Sequence, residues 1–316
     1  MDVVALGELL IDFTPYTGPH GSLFEKNPGG APANVLAALA KQGKKTAFIG
    51  KVGEDHFGHY LEDILRQNGI STEGLVFSET ENTTLAFVEL DESGDRSFTF
   101  YRKPGADYML SWEEVNQDLI RSARIFHYGS ISMTHEPAAS ATLAAVRLAK
   151  EHGLLISYDP NLRLRLWPDP ETAKARIREG LPYADVLKLS EEEMEFLTDE
   201  RDLNAGTARI HNEFGISLIC VTRGPAGCFY RAGALTGEVP AYAVDVVDTT
   251  GAGDAFLGGV LGRLLDETTN LQQLTAEQYK EIIAYGNATG SLAATSRGGI
   301  PSMPSPEQVM NLICKN

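Results

Sequence analysis

The nine-residue segment DTTGAGDAF, at positions 248–256, constrains this chain most strongly, because a glycine-rich turn leads directly into a long apolar stretch. An apolar stretch of that length predicts a buried helix. Gly251, Ala252 and Gly253 would then present the unpaired N–H groups of the first turn, where the helix dipole also attracts a phosphate. Asp254 would lie in the same turn, where the dipole favours the ionised carboxylate and lets it accept a proton from a hydroxyl. The segment predicts a phosphoryl-transfer site. Judged only by residue type, however, Asp, Thr and Gly are equally typical of a turn that caps a helix.

The same nine residues resemble the C-terminal signature of the ribokinase-like carbohydrate kinases, also called the PfkB family. A second family pattern, a glycine pair followed four positions later by asparagine, is present as Gly29, Gly30 and Asn34. The two patterns lie far apart, and the segments between them also fit, so the resemblance covers nearly the whole sequence. It implies one ribokinase-like kinase domain over residues 1–316, with a three-layer α/β/α architecture, a central, mostly parallel sheet and a small β-sheet lid.

Composition is compatible with that fold and excludes some partners. A chain of 316 residues, 43% hydrophobic, can bury a large core. The net charge of −16 argues against nucleic acid and against an anionic membrane as partners. Three cysteines without a CxxC pair suit a reducing compartment. No apolar run approaches the roughly 18 residues of a membrane span, and the N-terminal run resembles a first strand more than a signal peptide. We therefore expect a cytoplasmic protein.

Short apolar runs alternate with helical stretches, as expected for a parallel sheet covered by helices on both faces. A β-hairpin is predicted where two strand-like runs flank the turn sequence DESG at 91–94. In the resembled family such segments form a lid over the sugar and often pair between subunits, which here implies inserted segments at about 13–28 and 84–108 and a possible homodimer. The predicted strands are 3–6, 47–49, 84–90, 97–102, 154–158, 186–187 and 217–221, and the predicted helices are 35–40, 59–65, 138–150 and 282–294.

The candidate sugar site lies near the N-terminus. Asp12 follows the first strand, and its carboxylate can accept hydrogen bonds from two neighbouring sugar hydroxyls. Gly29 and Gly30 permit close backbone approach, and the Asn34 amide is both donor and acceptor. In isolation Asp12 is more typical of a turn, and the glycines are typical of a loop that enters a helix. The resemblance implies that all four bind substrate.

Three segments are similar to fructokinases: GELLIDF at 7–13, FTFYRKPGAD at 98–107 and the DPNLR…LW element at 159–167. The last also resembles 2-keto-3-deoxygluconate kinases. The resemblance places Asn161 and Arg163 near the sugar hydroxyls or the transferred phosphate, and packs Phe98 on the apolar face of the sugar. Arg165 and Phe100 are instead interpreted as a solvated charge and as one face of a strand.

Arg102 is a further candidate in the lid. With Lys103 it could hold an acidic group on the substrate, since an existing phosphate or carboxylate needs dedicated cations. A neutral sugar remains the favoured substrate, and phosphofructokinase-like chemistry stays open.

The nucleotide site lacks the usual phosphate-binding motifs. The sequence contains neither a GxxxxGK[ST] loop nor a GxGxxG turn that opens a helix after a strand. The run VTRGPAG at 221–227 instead resembles the family's T-x-G loop along ATP. The implied ATP-binding residues are Lys188, Glu193, Thr222, Arg223, Gly224, Gly227, Gly251, Gly253 and Asn287; Asn287 fits the polar face of a helix equally well.

Magnesium is implied by ATP. Residues 190–193 correspond to the family's N-x-x-E, with Ser190 at the asparagine position and Glu193 in place. Glu193 would organise magnesium through water, or would simply favour a helix N-terminus. The resemblance also implies a site for a monovalent cation, with potassium as the candidate ion, at Asp248, Thr250, Ala293, Gly298 and Ser302.

Together these features predict an ATP-dependent fructokinase that phosphorylates the 6-hydroxyl of D-fructose. A 2-keto-3-deoxygluconate kinase on the same fold is the closest alternative. A non-catalytic sugar sensor is the alternative from another class.

Overall fold

The computed structural model describes residues 1–18, 21–90, 96–267 and 270–315. In chain order the strands are β1 (Val3–Leu6), β2 (Leu10–Gly18), β3 (Gly21–Gly29), β4 (Thr46–Gly53), β5 (Ile70–Ser78), β6 (Leu85–Leu90), β7 (Arg96–Tyr101), β8 (Ile125–Gly129), β9 (Leu155–Asp159), β10 (Val186–Ser190), β11 (Leu218–Thr222), β12 (Cys228–Ala232) and β13 (Leu235–Val239). The α-helices are α1 (Ala31–Lys41), α2 (His56–Gln67), α3 (Gln117–Arg121), α4 (Ala138–Glu151), α5 (Pro170–Gly180), α6 (Glu191–Thr198), α7 (Leu203–Phe214), α8 (Ala252–Asp266), α9 (Ala276–Ala293) and α10 (Pro306–Lys315).

A nine-stranded sheet forms the centre, in the order β13-β12-β11-β10-β9-β8-β1-β4-β5. The strands from β11 to β5 pair in parallel, whereas β12 and β13 add an antiparallel edge. The parallel strands read as continuous apolar runs because helices cover both of their faces. The three-layer architecture predicted from the resemblance is confirmed.

The alternating side chains of β1 show the two cores directly. Val3 and Ala5 pack into a core with residues of α1, α2, α8 and α9. Val4 and Leu6 point to the opposite core, which contains residues of α4, α5, α6 and α7. All four strand residues are fully buried. Burial on both faces fixes the pairing register, because a one-residue slip would exchange the two sets of side chains.

A second, four-stranded sheet has the order β3-β2-β6-β7. Strands β2 and β3 pair antiparallel, as do β6 and β7, whereas β2 and β6 run parallel. The predicted hairpin is therefore present as β6 and β7, and its turn residues lie outside the described part of the chain. The small sheet is joined to the large one through β2, which begins four residues after β1 ends.

Several predicted elements are shorter than the observed ones. The strand expected at 47–49 extends to Gly53. The prediction stopped early because the polar Lys51 interrupts the apolar run, although its side chain is buried in the structure. The apolar run at 35–40 marks only the middle of α1, which begins at Ala31 with a proline in its first turn, as a proline near the first helical position favours. Within the described ranges, no helix combines the length and the apolar character needed to span a membrane.

Candidate active site

The carboxyl ends of the parallel strands meet the N-terminus of α8 at one edge of the sheet, where open α/β sheets bind ligands. A cavity of about 800 Å³ opens there. Its lining combines residues that the sequence assigned to sugar, phosphate, magnesium and the monovalent cation, namely Asp12, Gly30, Asn34, Asn161, Arg163, Lys188, Glu193, Thr250, Gly251, Gly253 and Asp254. Residues that are more than 200 positions apart in sequence therefore share one cavity.

Asp254 lies in the first turn of α8 and is 8% exposed. Its Oδ2 accepts a hydrogen bond of 2.8 Å from the Asn34 side-chain amide. Burial raises the pKa of Asp254 to about 6, and the negative charge of Asp159 adds to the rise, whereas Lys188 and Arg163 lower it. The sequence predicted that the helix dipole keeps this carboxylate ionised; burial has the larger effect, and Asp254 still remains mostly ionised at neutral pH.

The predicted anion-binding turn precedes that carboxylate. Gly251 is the N-cap of α8 and has φ 74°, a conformation that favours glycine. An added Cβ would also lie 3.0 Å from the Gly299 Cα atom. Gly251 and Gly253 line the cavity, whereas the Ala252 N–H donates to the Thr249 carbonyl oxygen at 3.2 Å. The two glycines are therefore better placed for a ligand than Ala252.

Asp12, on β2, faces the same cavity. Burial raises the pKa of Asp12 to about 7, and Arg163 acts in the opposite direction. A Cβ on Gly29 would lie 2.2 Å from Asp12 Oδ2, and one on Gly30, which has φ 126°, would lie 2.4 Å from the Glu8 carbonyl oxygen. Both glycines therefore allow a close approach of the backbone to this wall.

The DPNLR loop contributes the next wall. The Asn161 N–H donates to Asp159 Oδ1 at 3.1 Å, and the backbone of Asn161 has φ 48°, which is uncommon for a residue with a side chain. The Leu162 N–H donates to Glu193 Oε1 at 2.6 Å. The exposed Arg163 donates from Nη1 to the Leu162 carbonyl oxygen at 3.1 Å. Two buried carboxylates thus fix the loop that carries Asn161 and Arg163.

Lys188 lies beneath the start of α8. Its Nζ is 3.1 Å from Asp159 Oδ2, and it would be 3.1 Å from a Cβ added to Gly253. Burial alone would lower the pKa of Lys188, but the carboxylates of Asp159 and Glu193 raise it above its ordinary value. A permanent positive charge therefore lies next to the predicted phosphate site.

The departure from N-x-x-E has a structural explanation. Ser190 is the N-cap of α6: its Oγ accepts from the Glu193 N–H at 3.1 Å, and Glu193 Oε2 accepts from the Ser190 N–H at 2.8 Å. This reciprocal pair is a capping box. The helix-terminus interpretation of Glu193 is therefore confirmed. Glu192 and Glu193 also line the cavity, so a role beside magnesium is compatible with the capping role.

The T-x-G loop follows β11. The Thr222 hydroxyl donates to the Leu189 carbonyl oxygen at 3.2 Å. Arg223 pairs with Glu191 at 3.2 Å and with Glu238 at 2.9 Å. Gly224 and Gly227 both have positive φ, 52° and 90°. None of the four predicted loop residues is among those that line the 800 Å³ cavity.

Asn287, on α9, is 6% exposed. Its amide donates to the carbonyl oxygens of Val239 and Pro240, at 2.8 and 3.0 Å. It therefore fixes the segment that follows β13, and it also lies outside the cavity lining.

The predicted cation residues converge in part. Asp248 Oδ1 accepts from the Thr250 N–H at 2.8 Å, and its Oδ2 accepts from the Gly298 N–H at 3.1 Å. The Ser302 hydroxyl donates to the Gly299 carbonyl oxygen at 2.8 Å, and Ala293 is buried near the end of α9. Among the described residues, no group of three or more His, Cys, Asp or Glu side chains is suitably placed for a metal ion.

The structure describes the side chain of only one of the two predicted lid residues. Arg102 is absent from the cavity lining, because its guanidinium is buried in an ion pair with Asp107. Phe98 belongs to β7, but its side chain lies outside the described part of the structure.

The cavity also contains residues that the sequence interpretation left out. Glu8 lines it and is 3% exposed; the only signal is its position directly before the buried start of β2. Phe100, on β7, and the exposed Arg165 also line it. Their interpretations as one face of a strand and as a solvated charge hold, and the contact with the cavity adds to them. Asp159 is the buried partner of Lys188. Its place at the end of a parallel strand is the signal that could have identified it.

Comparison with known proteins agrees with this geometry. The model of the pfkB family carbohydrate kinases matches residues 1–306. A probable chloroplastic fructokinase-6 from Arabidopsis thaliana is 46% identical over 320 residues, which cover 99% of this chain and 82% of the relative.

Two solved structures are also similar. A fructokinase from Xylella fastidiosa with bound ATP superposes with a TM-score of 0.92, at 36% identity over 99% of this chain and 98% of that chain. A fructokinase double mutant from Vibrio cholerae O395, with fructose, ADP and potassium bound, has a TM-score of 0.89, at 34% identity over 99% and 98%. The prediction from the two sequence signatures is confirmed: the chain belongs to the pfkB family of carbohydrate kinases.

Proposed function

We propose that this protein is an ATP-dependent fructokinase, which transfers the γ-phosphoryl group of ATP to the 6-hydroxyl of D-fructose. The observation that carries the proposal is the position of Asp254, which is hydrogen-bonded to Asn34 in a cavity that Asp12 and Arg163 also line. The fructokinase names of the relatives and of both similar structures support the choice of sugar.

In this proposal Asp254 accepts the proton of the attacking hydroxyl. Phosphoryl transfer passes through a loose transition state in most analyses, so positioning and charge neutralisation carry most of the catalysis. The N–H groups of the glycine turn at the start of α8 would stabilise the transferring group. Lys188 adds a fixed positive charge beside Gly253. Asp12, Gly30, Asn34 and Arg163 would orient the sugar.

Magnesium fits the acidic end of the cavity, where Glu192 and Glu193 lie beside Ser190. Carboxylate oxygens commonly hold magnesium through its bound waters. Glu193 would act in this way, and the ion would neutralise charge on the phosphates. Thr222, Arg223, Gly224, Gly227 and Asn287 would lie along the remainder of ATP.

A monovalent cation is proposed beside the glycine turn. Asp248 draws the Thr250 and Gly298 backbones together, and Ala293 and Ser302 complete the set. Potassium is the first candidate, because the similar Vibrio cholerae structure holds this ion. Turnover with potassium chloride, compared with choline chloride at equal ionic strength, tests this part.

The small sheet is proposed as a lid, and as the contact between two copies of the chain. Leu23 and Phe24 on β3 are about half exposed, and Tyr101 on β7 is 65% exposed. Large apolar side chains on one small sheet are typical of an interface. A sedimentation measurement of Phe24→Ser against the unchanged protein tests the homodimer, which the substitution should weaken.

The cytoplasm is the proposed compartment. The cysteines Cys220, Cys228 and Cys314 are all free thiols, which suits a reducing environment. Fractionation of cells that express the tagged chain tests this assignment.

The experiment that tests the function is ADP release with magnesium and ATP, across D-fructose, 2-keto-3-deoxygluconate, ribose, fructose 6-phosphate and adenosine. We expect the highest kcat/KM for D-fructose. A preference for the acid sugar would favour the 2-keto-3-deoxygluconate kinase. Sugar binding without any ADP release would favour the non-catalytic sensor.

A further inference from the structure

Contacts with Asp107 and Tyr108 hold the Arg102 side chain away from the cavity. Its Nε donates to Asp107 Oδ1 at 3.2 Å, and its Nη2 donates to Oδ2. The guanidinium also lies 3.5 Å from the centre of the Tyr108 ring. The Arg102 and Asp107 side chains are 2% and 1% exposed. The charge that Arg102 could have offered to an acidic substrate is therefore already neutralised, and Lys103, the other cation predicted for this role, is exposed and is absent from the cavity lining.

The partner of Arg102 is itself fixed. Asp107 Oδ1 also accepts a hydrogen bond of 2.6 Å from the buried Thr84 hydroxyl. A substrate carboxylate could take over the Nε and Nη2 donors of Arg102 only by displacing Asp107, which would leave a buried carboxylate without its counter-ion. Breaking a buried ion pair in this way is strongly unfavourable.

Glu8 faces this pair from the cavity side. Its Oε1 accepts from the Ala31 N–H at 2.9 Å, at the start of α1. Its Oε2 is buried and has no hydrogen-bond partner among the described atoms, and the same is true of Arg102 Nη1. Burial raises the pKa of Glu8 to about 7, so this carboxyl is mostly ionised only above that pH. The charges of Arg102 and Asp107 shift the same pKa in opposite directions, so all three groups lie within electrostatic range.

We propose that Glu8, backed by the closed Arg102–Asp107 pair, is a specificity-determining residue that selects a neutral sugar at the lid end of the cavity. The proposal rests on the proposed function and adds the residue that enforces it. Glu8 Oε2 needs a donor, which a sugar hydroxyl supplies and an ionised substrate carboxylate does not. Above about pH 7, where Glu8 is mostly ionised, an acid group at the same position would also meet its negative charge, and like charges in a cavity are a means of rejecting a competitor.

A purely structural role for Glu8 makes a different prediction. If Glu8 only holds the start of α1 through Ala31, its substitution should impair every sugar equally. If it selects the sugar, the ratio between neutral and acidic substrates should change. The ratio is therefore the informative measurement.

The test is the ratio of kcat/KM for D-fructose to kcat/KM for 2-keto-3-deoxygluconate. Glu8→Gln keeps an oxygen for the Ala31 N–H and replaces the charge with an amide that can donate to a carboxylate. We expect the ratio to fall at least about tenfold. Asp107→Asn loosens Arg102 while the Glu8 side chain itself is unchanged. It should also lower the ratio, and it provides a second measurement if Glu8→Gln folds poorly. Glu151→Gln, on the exposed end of α4, is the matched control.

The outcomes separate the inference from the function. An unchanged protein that prefers fructose, with an unaltered ratio in the folded Glu8 and Asp107 variants, overturns the inference alone. An unchanged protein that prefers the acid sugar overturns the inference and the proposed function together.

Discussion

The Asn34 amide donates a hydrogen bond of 2.8 Å to Oδ2 of Asp254, across 220 positions of sequence. This hydrogen bond joins α1, which begins directly after the glycine pair, to the first turn of α8. Because Oδ2 already accepts this bond, Oδ1 is the oxygen that we assign to the substrate hydroxyl. The two signatures recognised in the sequence are therefore two halves of one arrangement.

Asp254→Asn should remove catalysis and leave binding. The amide preserves the shape of the side chain but cannot accept the hydroxyl proton, so we expect kcat to fall by roughly 10³-fold or more. The dissociation constant of fructose, measured by titration calorimetry, should change little because Asp12 and Arg163 are intact. Turnover comparable to that of the unchanged protein would refute the assignment of the base.

The decrease of kcat at acidic pH should reflect the protonation of the same carboxylate, Asp254. The pKa of Asp254 is raised to about 6. Because only the deprotonated form accepts a proton, kcat should fall as the pH decreases through about 6. Lys188→Met removes a charge that lowers this pKa, so the midpoint should move upward.

Lys150→Met is the control for that shift. Lys150 pairs with Asp185 at the surface, at 2.8 Å, and lines no part of the 800 Å³ cavity. Its substitution should leave the midpoint in place. Equal midpoints in the Lys188 variant and the unchanged protein would contradict the proposed coupling between Lys188 and Asp254.

A pair of glycine substitutions separates backbone strain from catalysis. Gly251 and Gly215 have nearly the same φ, 74° and 73°, but only Gly251 has neighbours within 4 Å of an added Cβ. Gly251→Ala and Gly215→Ala should each cost about 1 kcal/mol or more of unfolding free energy, measured by urea denaturation. Only Gly251→Ala should also reduce kcat. A similar loss of turnover in both variants would mean that stability, and not the anion-binding turn, is responsible.

The sequence was sufficient for those parts of the site that depend on local patterns. The turn before α8 was predictable because the glycines and the following apolar run together specify a helix N-terminus. The buried strands of the large sheet were predictable from short apolar runs, but their ends were not. Lys51 shows why: it continues β4 while pairing with Glu114 from a distant segment, and a single sequence does not reveal that partner.

The electrostatics of the site could not be predicted in the same way. The dipole argument for Asp254 considered only its own helix, whereas Asp159 and Lys188 come from strands β9 and β10. Arg102 was expected to face substrate because an acidic group on the substrate would need a dedicated cation in the lid. Its burial against Asp107 depends on the tertiary packing of the segment after β7, which the local sequence does not encode.

The final prediction distinguishes two arginines of one loop. Both Arg163 and Arg165 line the cavity. The positive charge of Arg163 lowers the pKa of both Asp12 and Asp254. Arg163→Met should therefore reduce kcat/KM for fructose by roughly 10²-fold, as expected for the loss of a charged positioning contact. It should also raise the pKa of Asp254 and move the acidic decrease of kcat to higher pH. Arg165→Met should change kcat/KM by less than about threefold, because Arg165 is not among the main groups that shift the pKa of either carboxylate. Equal losses in the two variants would show that the cavity depends on the summed charge of the loop and not on the position of Arg163.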